Sequence, residues 1–203
     1  MNSSKLRVGV FVGGRGARMG YVPKGLLRGP RGTPLVEQLL RECESALPDA
    51  PRVLVGDATA YAALALPSLL DAPPGVGPIG GLRALLQQAA QAGERAVLAL
   101  ACDMPFVSAR LIRRLALEKS DARVCAPRES DRWEPLCARY AVTALDAVDA
   151  ALAAGERSLQ RIFARLGSDA AVLELEPDER GELRDWDEPA DLLRDSEAPA
   201  SER

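Results

Sequence analysis

Histidine is missing altogether from the 203 residues of this chain. That absence excludes serine–histidine and cysteine–histidine nucleophilic catalysis, which need an imidazole beside the nucleophile. Any enzyme chemistry here rests on carboxylates, cations, metal ions or groups that a substrate brings. The cysteines Cys43, Cys102, Cys125 and Cys137 form no C-x-x-C pair, and no histidine exists to complete a zinc site around them. They read as small apolar residues of a reduced, cytoplasmic protein. No apolar run reaches the ~18 residues of a membrane span, so no membrane partner is expected. Val8–Val12 is apolar, but Gly13 and Arg15 follow at once, too short and wrongly flanked for a signal-peptide core. The formal net charge of −3 lacks the basic footprint of a nucleic-acid binder.

What is present suits an α/β fold. Hydrophobic residues make up 47% of the chain, enough for one core, so residues 1–195 are expected to form a single domain. Residues 196–203 are expected to be a disordered tail. Valine-rich or continuous apolar runs predict strands at Leu6–Val12, Arg52–Gly56, Ser68–Asp71, Ala96–Ala101, Arg123–Ala126, Leu136–Tyr140 and Ala171–Leu175. Helical spacing predicts helices at Pro34–Leu47, Ala58–Leu64, Gly81–Ala92, Ala109–Glu118, Val142–Ala153, Leu159–Leu166 and Glu188–Leu193, with Ser108 capping the fourth. Gly29-Pro30 and Gly32 predict a turn between two short extended pieces within Leu26–Leu35, and Asp71–Gly81 reads as a loop. Alternating strands and helices imply a mostly parallel sheet. Ligands of such sheets bind outside the carboxyl ends of the strands, here the loops after Val12, Gly56, Asp71 and Ala101.

Four stretches carry chemistry. Phe11-Val12-Gly13-Gly14-Arg15-Gly16-Ala17-Arg18-Met19-Gly20, with Lys24 behind it, combines glycines that aim backbone N–H groups at one concavity with three full positive charges. A triphosphate or pyrophosphate suits it; a surface turn with solvated arginines is the alternative. It is neither a dinucleotide fingerprint nor a P-loop, because its final glycine spacing is wrong and no Gly-Lys-Ser/Thr occurs. Asp103, directly after an apolar strand, can meet a hard cation and substrate phosphates, or merely hold a turn. Gly77-Pro78-Ile79-Gly80-Gly81 can line a base or ribose, or be a plain connection. Asp187 makes an N-cap for the last helix, with Asp185 and Asp187 as alternative metal ligands.

In this order the stretches resemble the molybdenum cofactor guanylyltransferase (MobA) family of nucleotidyltransferases. The resemblance lies in Gly13-Gly14-x-x-x-Arg18-Met19-Gly20, Lys24-Gly25-Leu26-Leu27, Gly77-Pro78-x-x-Gly81, Cys102-Asp103-x-Pro105 and Asp187-x-Pro189-x-Asp191-Leu192. It implies a Rossmann-like three-layer sandwich and transfer of guanylate from Mg-GTP to the terminal phosphate of molybdenum-bearing molybdopterin, with release of pyrophosphate. It also implies that Phe11, Val12, Gly13 and Gly14 line the guanine and phosphate site, that Lys24 contacts GTP and that Asp71 helps to hold it. Asp103 would bind Mg2+, and Arg18, Gly77, Gly81, Asp185 and Asp187 would face the pterin. Arg15, Lys24 and Asp103 are the expected catalytic set, and a transient contact with a molybdopterin-delivering protein is the expected partner interaction.

Departures from the pattern are Phe11-Val12 in place of Leu-Ala, Gly56 where asparagine is common, Pro23 where an aspartate precedes the lysine, and aspartates for asparagines in the closing motif. The rivals are a cytidylyltransferase acting on the same pterin, a sugar-phosphate nucleotidyltransferase and a nucleotide-binding regulatory module without catalysis. The Gly13-Gly14 pair resembles the guanine-using branch. No added sugar-binding segment is evident, and a sensing module would not need both Lys24 and Asp103.

Overall fold

A computed structural model describes residues 6–13, 22–29 and 31–186. In chain order the first half holds β1 (Leu6–Phe11), α1 (Leu35–Ala46), β2 (Arg52–Val55), β3 (Ser68–Leu69), α2 (Pro78–Gln91), β4 (Ala96–Ala101) and α3 (Ala109–Leu117). The second half holds β5 (Val124–Ala126), β6 (Arg128–Glu129), β7 (Arg132–Trp133), β8 (Cys137–Ala141), α4 (Leu145–Ala153), α5 (Leu159–Leu166) and β9 (Ala170–Val172).

Seven of the strands form one sheet in the order β3-β2-β1-β4-β8-β5-β9. Its interior strands read as continuous apolar runs because helices cover both faces. Successive side chains point to opposite faces. Val8, Val10, Leu54, Leu98 and Leu100 therefore pack with Val36, Leu39, Leu111 and Ile112 of α1 and α3. Val53, Val55, Val97, Ala99 and Tyr140 pack on the other side with Leu82, Leu85, Val148, Ile162 and Phe163 of α2, α4 and α5. The three layers of the sequence reading are thus present. No helix among the described residues is long and apolar enough to cross a membrane.

The sheet is mostly parallel, with β8 reversed against both β4 and β5. The stretch 127–136 explains the reversal: it holds the small β6–β7 hairpin and no helix, so it turns the chain back instead of crossing it over. For the site the decisive register is that of β1, where Phe11 pairs with Val55 on one side and Ala101 on the other. Three carboxyl ends are thereby level, and the loops that follow them meet.

Several boundaries differ from the sequence reading. Helix α2 begins at Pro78 and not at Gly81, because proline at the first helical position lacks only an N–H that has no helical partner there. Gly80, read as loop, and Gly81, read as the first helical residue, are buried in its first turn. Lys24–Leu26 is a 3-10 turn where an extended piece was expected at Leu26, and only the Arg28–Pro34 bridge remains of the pairing around the predicted turn. Thr59–Leu64 is 3-10 rather than α-helical, and β3 stops at Leu69. The expected helix at Glu188–Leu193 and tail at 196–203 lie outside the described residues.

Candidate functional site

A cavity of about 350 Å³ opens at the level ends of β1, β2 and β4. Phe11, Val12 and Gly13 enter it from β1, and Gly56 and Asp57 from β2. The two loops are in backbone contact: a Cβ on Gly56 would lie 2.8 Å from both Cα and N of Gly13, and Gly56 has φ +106°. A side chain there is disfavoured by both space and backbone conformation, which accounts for glycine at a position where the resemblance anticipates asparagine. On the far wall, Gly81 lets α2 approach the strands. A Cβ at Gly81 would meet Val55 Cγ1 at 2.7 Å, Phe11 Cε1 at 3.0 Å and Asp71 Oδ1 at 3.1 Å. Asp71 is held in this wall, and burial pushes its carboxyl above the ordinary carboxylate value.

Lys24 reaches the cavity from the 3-10 turn, whose backbone is anchored where Gly25 N–H donates to the buried Tyr61 hydroxyl at 3.2 Å. Its Nζ donates to Asp103 Oδ2 at 2.9 Å, and both side chains are about one-fifth exposed, at 20% and 19%. Asp103 is itself fixed from two directions. Cys102 N–H donates to Phe11 carbonyl at 3.1 Å, and Trp186 N–H donates to Asp103 carbonyl at 3.0 Å. The neighbouring groups cannot serve as bases near neutrality. Burial pushes the Cys102 thiol up to about 12, and burial, followed by the charges of Cys102 and Asp103, raises the Tyr61 phenol well above its usual range. All four cysteines are buried and free of disulfides.

Of the residues singled out in the sequence, Phe11, Val12, Gly13, Lys24, Asp71, Gly77 and Asp103 line this one cavity. Gly81 lies behind its wall. Asp185 is outside the lining and precedes Trp186, which is buried and stacks edge-on against Phe106. Gly14, Arg15, Arg18 and Asp187 lie outside the described residues.

Known proteins share this sequence pattern and this fold. Residues 8–171 match the family described as MobA-like NTP transferase domain. The chain belongs to that family. It is 35% identical over 186 residues to the molybdenum cofactor guanylyltransferase of Cereibacter sphaeroides, covering 91% of this chain and 92% of that one. To the molybdenum cofactor guanylyltransferase of Pseudomonas fluorescens it is 36% identical, covering 82% of this chain and 84% of the relative. Among solved structures, the molybdopterin-guanine dinucleotide biosynthesis protein A of Archaeoglobus fulgidus superposes with a TM-score of 0.74 at 27% identity, over 93% of this chain and 96% of that one.

Within this MobA-like domain three residues near the cavity were not singled out by the sequence reading. Tyr61 supports the Lys24 turn; its only signal was an aromatic residue in a short, otherwise alanine-rich helix. Asp57 lines the cavity, with its Oδ1 accepting from Thr59 N–H at 3.0 Å and Thr59 hydroxyl at 2.6 Å. Glu134 lies next to Pro135 and Leu136, the latter in the cavity wall. Burial first, and then the charge of Asp185, pushes the Glu134 carboxyl from 4.5 up to about 7.

A native carboxyl that holds its proton longer than the unfolded chain makes the fold most stable below the unfolded value, and that stability is lost as pH rises through the folded value. Parent protein is therefore expected to lose on the order of 1 kcal/mol between pH 5 and pH 8 relative to Glu134→Gln, a modest figure because the side chain is only half-buried. Thermal melts across that range test this. Parallel pH profiles for the two proteins would show that Glu134 titrates as a solvated group.

Proposed function

We propose that this chain is a molybdenum cofactor guanylyltransferase, which transfers GMP from GTP to the terminal phosphate of molybdenum-bearing molybdopterin and releases pyrophosphate. The observation that carries the reading is the meeting of Lys24 and Asp103 with the Gly13 loop at the level ends of β1 and β4, in a chain that shares about a third of its residues with guanylyltransferases over most of its length. On this reading residues 1–195 act as one nucleotidyltransferase domain, working in the cytoplasm and receiving molybdopterin from a carrier protein by transient contact.

A divalent cation fits the donor set. Among the described residues there is no cluster of three or more potential ligands. Magnesium takes one or two carboxylates and leaves its other positions to waters and substrate phosphates, and Asp103 supplies one such carboxylate. Bound there, Mg2+ would neutralise charge on the phosphates of GTP. Asp103 orients that charge, with its own carbonyl accepting from Trp186 N–H and the neighbouring Cys102 N–H donating to Phe11. Lys24, seated by the Gly25–Tyr61 hydrogen bond, turns its ammonium from Asp103 toward the β- and γ-phosphates as they leave. Gly13 and Gly14 are assigned to the phosphates, and Arg15 to the charge of the departing pyrophosphate.

In the reaction a pterin phosphate oxygen forms a bond to the α-phosphorus of GTP, and the bond from that phosphorus to the bridging oxygen of pyrophosphate breaks. The attacking phosphate already carries about −1.5 to −2 charges near pH 7. No base is needed, in keeping with the neutral Cys102 and Tyr61. Arg18, Gly77, Gly81, Asp185 and Asp187 are assigned to the pterin side, and Asp71 to the nucleotide.

The base choice is tested by binding titrations in magnesium. GTP is expected to bind at least about tenfold tighter than CTP, equivalent to ~1.4 kcal/mol. Equal or tighter CTP binding would move the chain to the cytidylyltransferase branch.

A further inference from the structure

We propose that a second cavity, at the amino-terminal edge of the sheet, binds a small organic anion with an apolar body. This cavity is about 610 Å³, larger than the one at the carboxyl edge, and within the ~300–1,000 Å³ of small-molecule sites. Leu6 and Ala96, the first residues of β1 and β4, lie in its wall. The candidate active site lies at the other end of the same strands, roughly 16 Å away at ~3.3 Å per residue.

The wall divides into two chemistries. Leu6, Leu47 and Leu117 supply apolar surface, whereas Arg95, Arg113 and Arg139 face the cavity with Asp121 as the one acid in its lining. Arg139 carries the argument. It is 3% exposed, its Nη2 donates to the carbonyls of Lys119 at 2.6 Å and Ala122 at 3.0 Å, and its Nε has no hydrogen-bond partner. Other charges sequestered in this fold are matched with opposite ones, Arg7 with Glu94 and Arg114 with Glu179. Among the described residues no carboxylate lies within ion-pair distance of Arg139. Burial accordingly pulls its guanidinium below the ordinary arginine value.

A buried, unpaired cation is costly unless an anion completes it. Arg113 and Arg95 stand on the exposed rim; Arg113 Nη2 donates to Ser45 carbonyl at 3.0 Å, which leaves the rest of its guanidinium for a ligand. An anionic head among the three arginines, with its body against the leucines, satisfies both chemistries of the wall.

Phenyl phosphate is a suitable probe, titrated into the full chain with amide NMR shifts as the readout. Saturable shifts are expected at Leu6, Ala96 and Ala141, and they persist when excess GTP fills the site at Gly13 and Asp103. The double variant Arg95→Gln, Arg113→Gln removes exposed charges and is expected to keep its melting temperature while weakening phenyl phosphate by at least about tenfold. Arg139→Lys, which retains the charge but not the fork geometry, is expected to weaken it as well. No saturable shift at millimolar probe, shifts confined to Gly13 and Asp103, or undiminished affinity in the correctly folded double variant would each overturn the proposal.

Discussion

Asp103→Asn is expected to lower guanylate transfer by at least about a hundredfold at saturating GTP, or ~2.7 kcal/mol of barrier. The substitution keeps the size and polarity of the side chain and removes its charge. The backbone of residue 103 is held by contacts that the change leaves intact, namely Trp186 N–H on its own carbonyl and Cys102 N–H on Phe11. An asparagine oxygen can also still accept from Lys24, so the fold loses little. What is lost is the carboxylate at the end of β4 that fits a divalent cation, and neutralisation of phosphate charge matters most in the transition state. The expected signature is a fall in turnover larger than any change in GTP affinity. Near-normal turnover in this variant would transfer the metal role to another carboxylate, with Asp71 and Asp57 the acids nearest to hand in the same wall.

Lys24→Ala is expected to cost a comparable factor, on the order of a hundredfold or more, through loss of a cation beside the departing pyrophosphate. The geometry changes what is expected of its stability. A surface lysine away from special features alters stability by only ~0.5 kcal/mol, but Lys24 is four-fifths covered and 2.9 Å from Asp103. Its removal leaves that carboxylate without its cation, so a loss of about 1 kcal/mol is expected, between the values for exposed and buried pairs. Kinetics must therefore be read beside a thermal melt. A lowered melt with unchanged turnover would make the pair structural, and with it the whole Lys24 turn.

Much of the fold was legible because its signals are local. Strands β1 and β4 are continuous apolar runs, as parallel strands covered on both faces must be. Helix α5 matches its predicted bounds at Leu159–Leu166, and the Ser108 hydroxyl accepts from Leu111 N–H as an N-cap should. What escaped is non-local. The reversal of β8 depends on a hairpin of Arg128, Glu129 and Arg132, whose polar sequence carries no strand pattern. The start of α2 was hidden by Gly80, which read as loop; Pro73, Val76 and Asp71 leave no room for a larger side chain there, as Val55, Phe11 and Asp71 leave none at Gly81.

The site divides in the same way. Glycines after a strand, a lysine behind them and an aspartate after β4 are visible as residue types in order. The pairing of Lys24 with Asp103 joins positions 79 residues apart and needs the register of β1 with β4. Gly56 looked like a departure from the family pattern; its contact with Gly13 makes it a requirement of this particular loop pair.

The central claim is tested most directly by pyrophosphate release in the presence of magnesium and GTP, with and without molybdenum-bearing molybdopterin. The account predicts release only when both substrates are present, with one guanine dinucleotide formed per pyrophosphate. Release that is indifferent to the pterin, or that requires CTP in place of GTP, would contradict it.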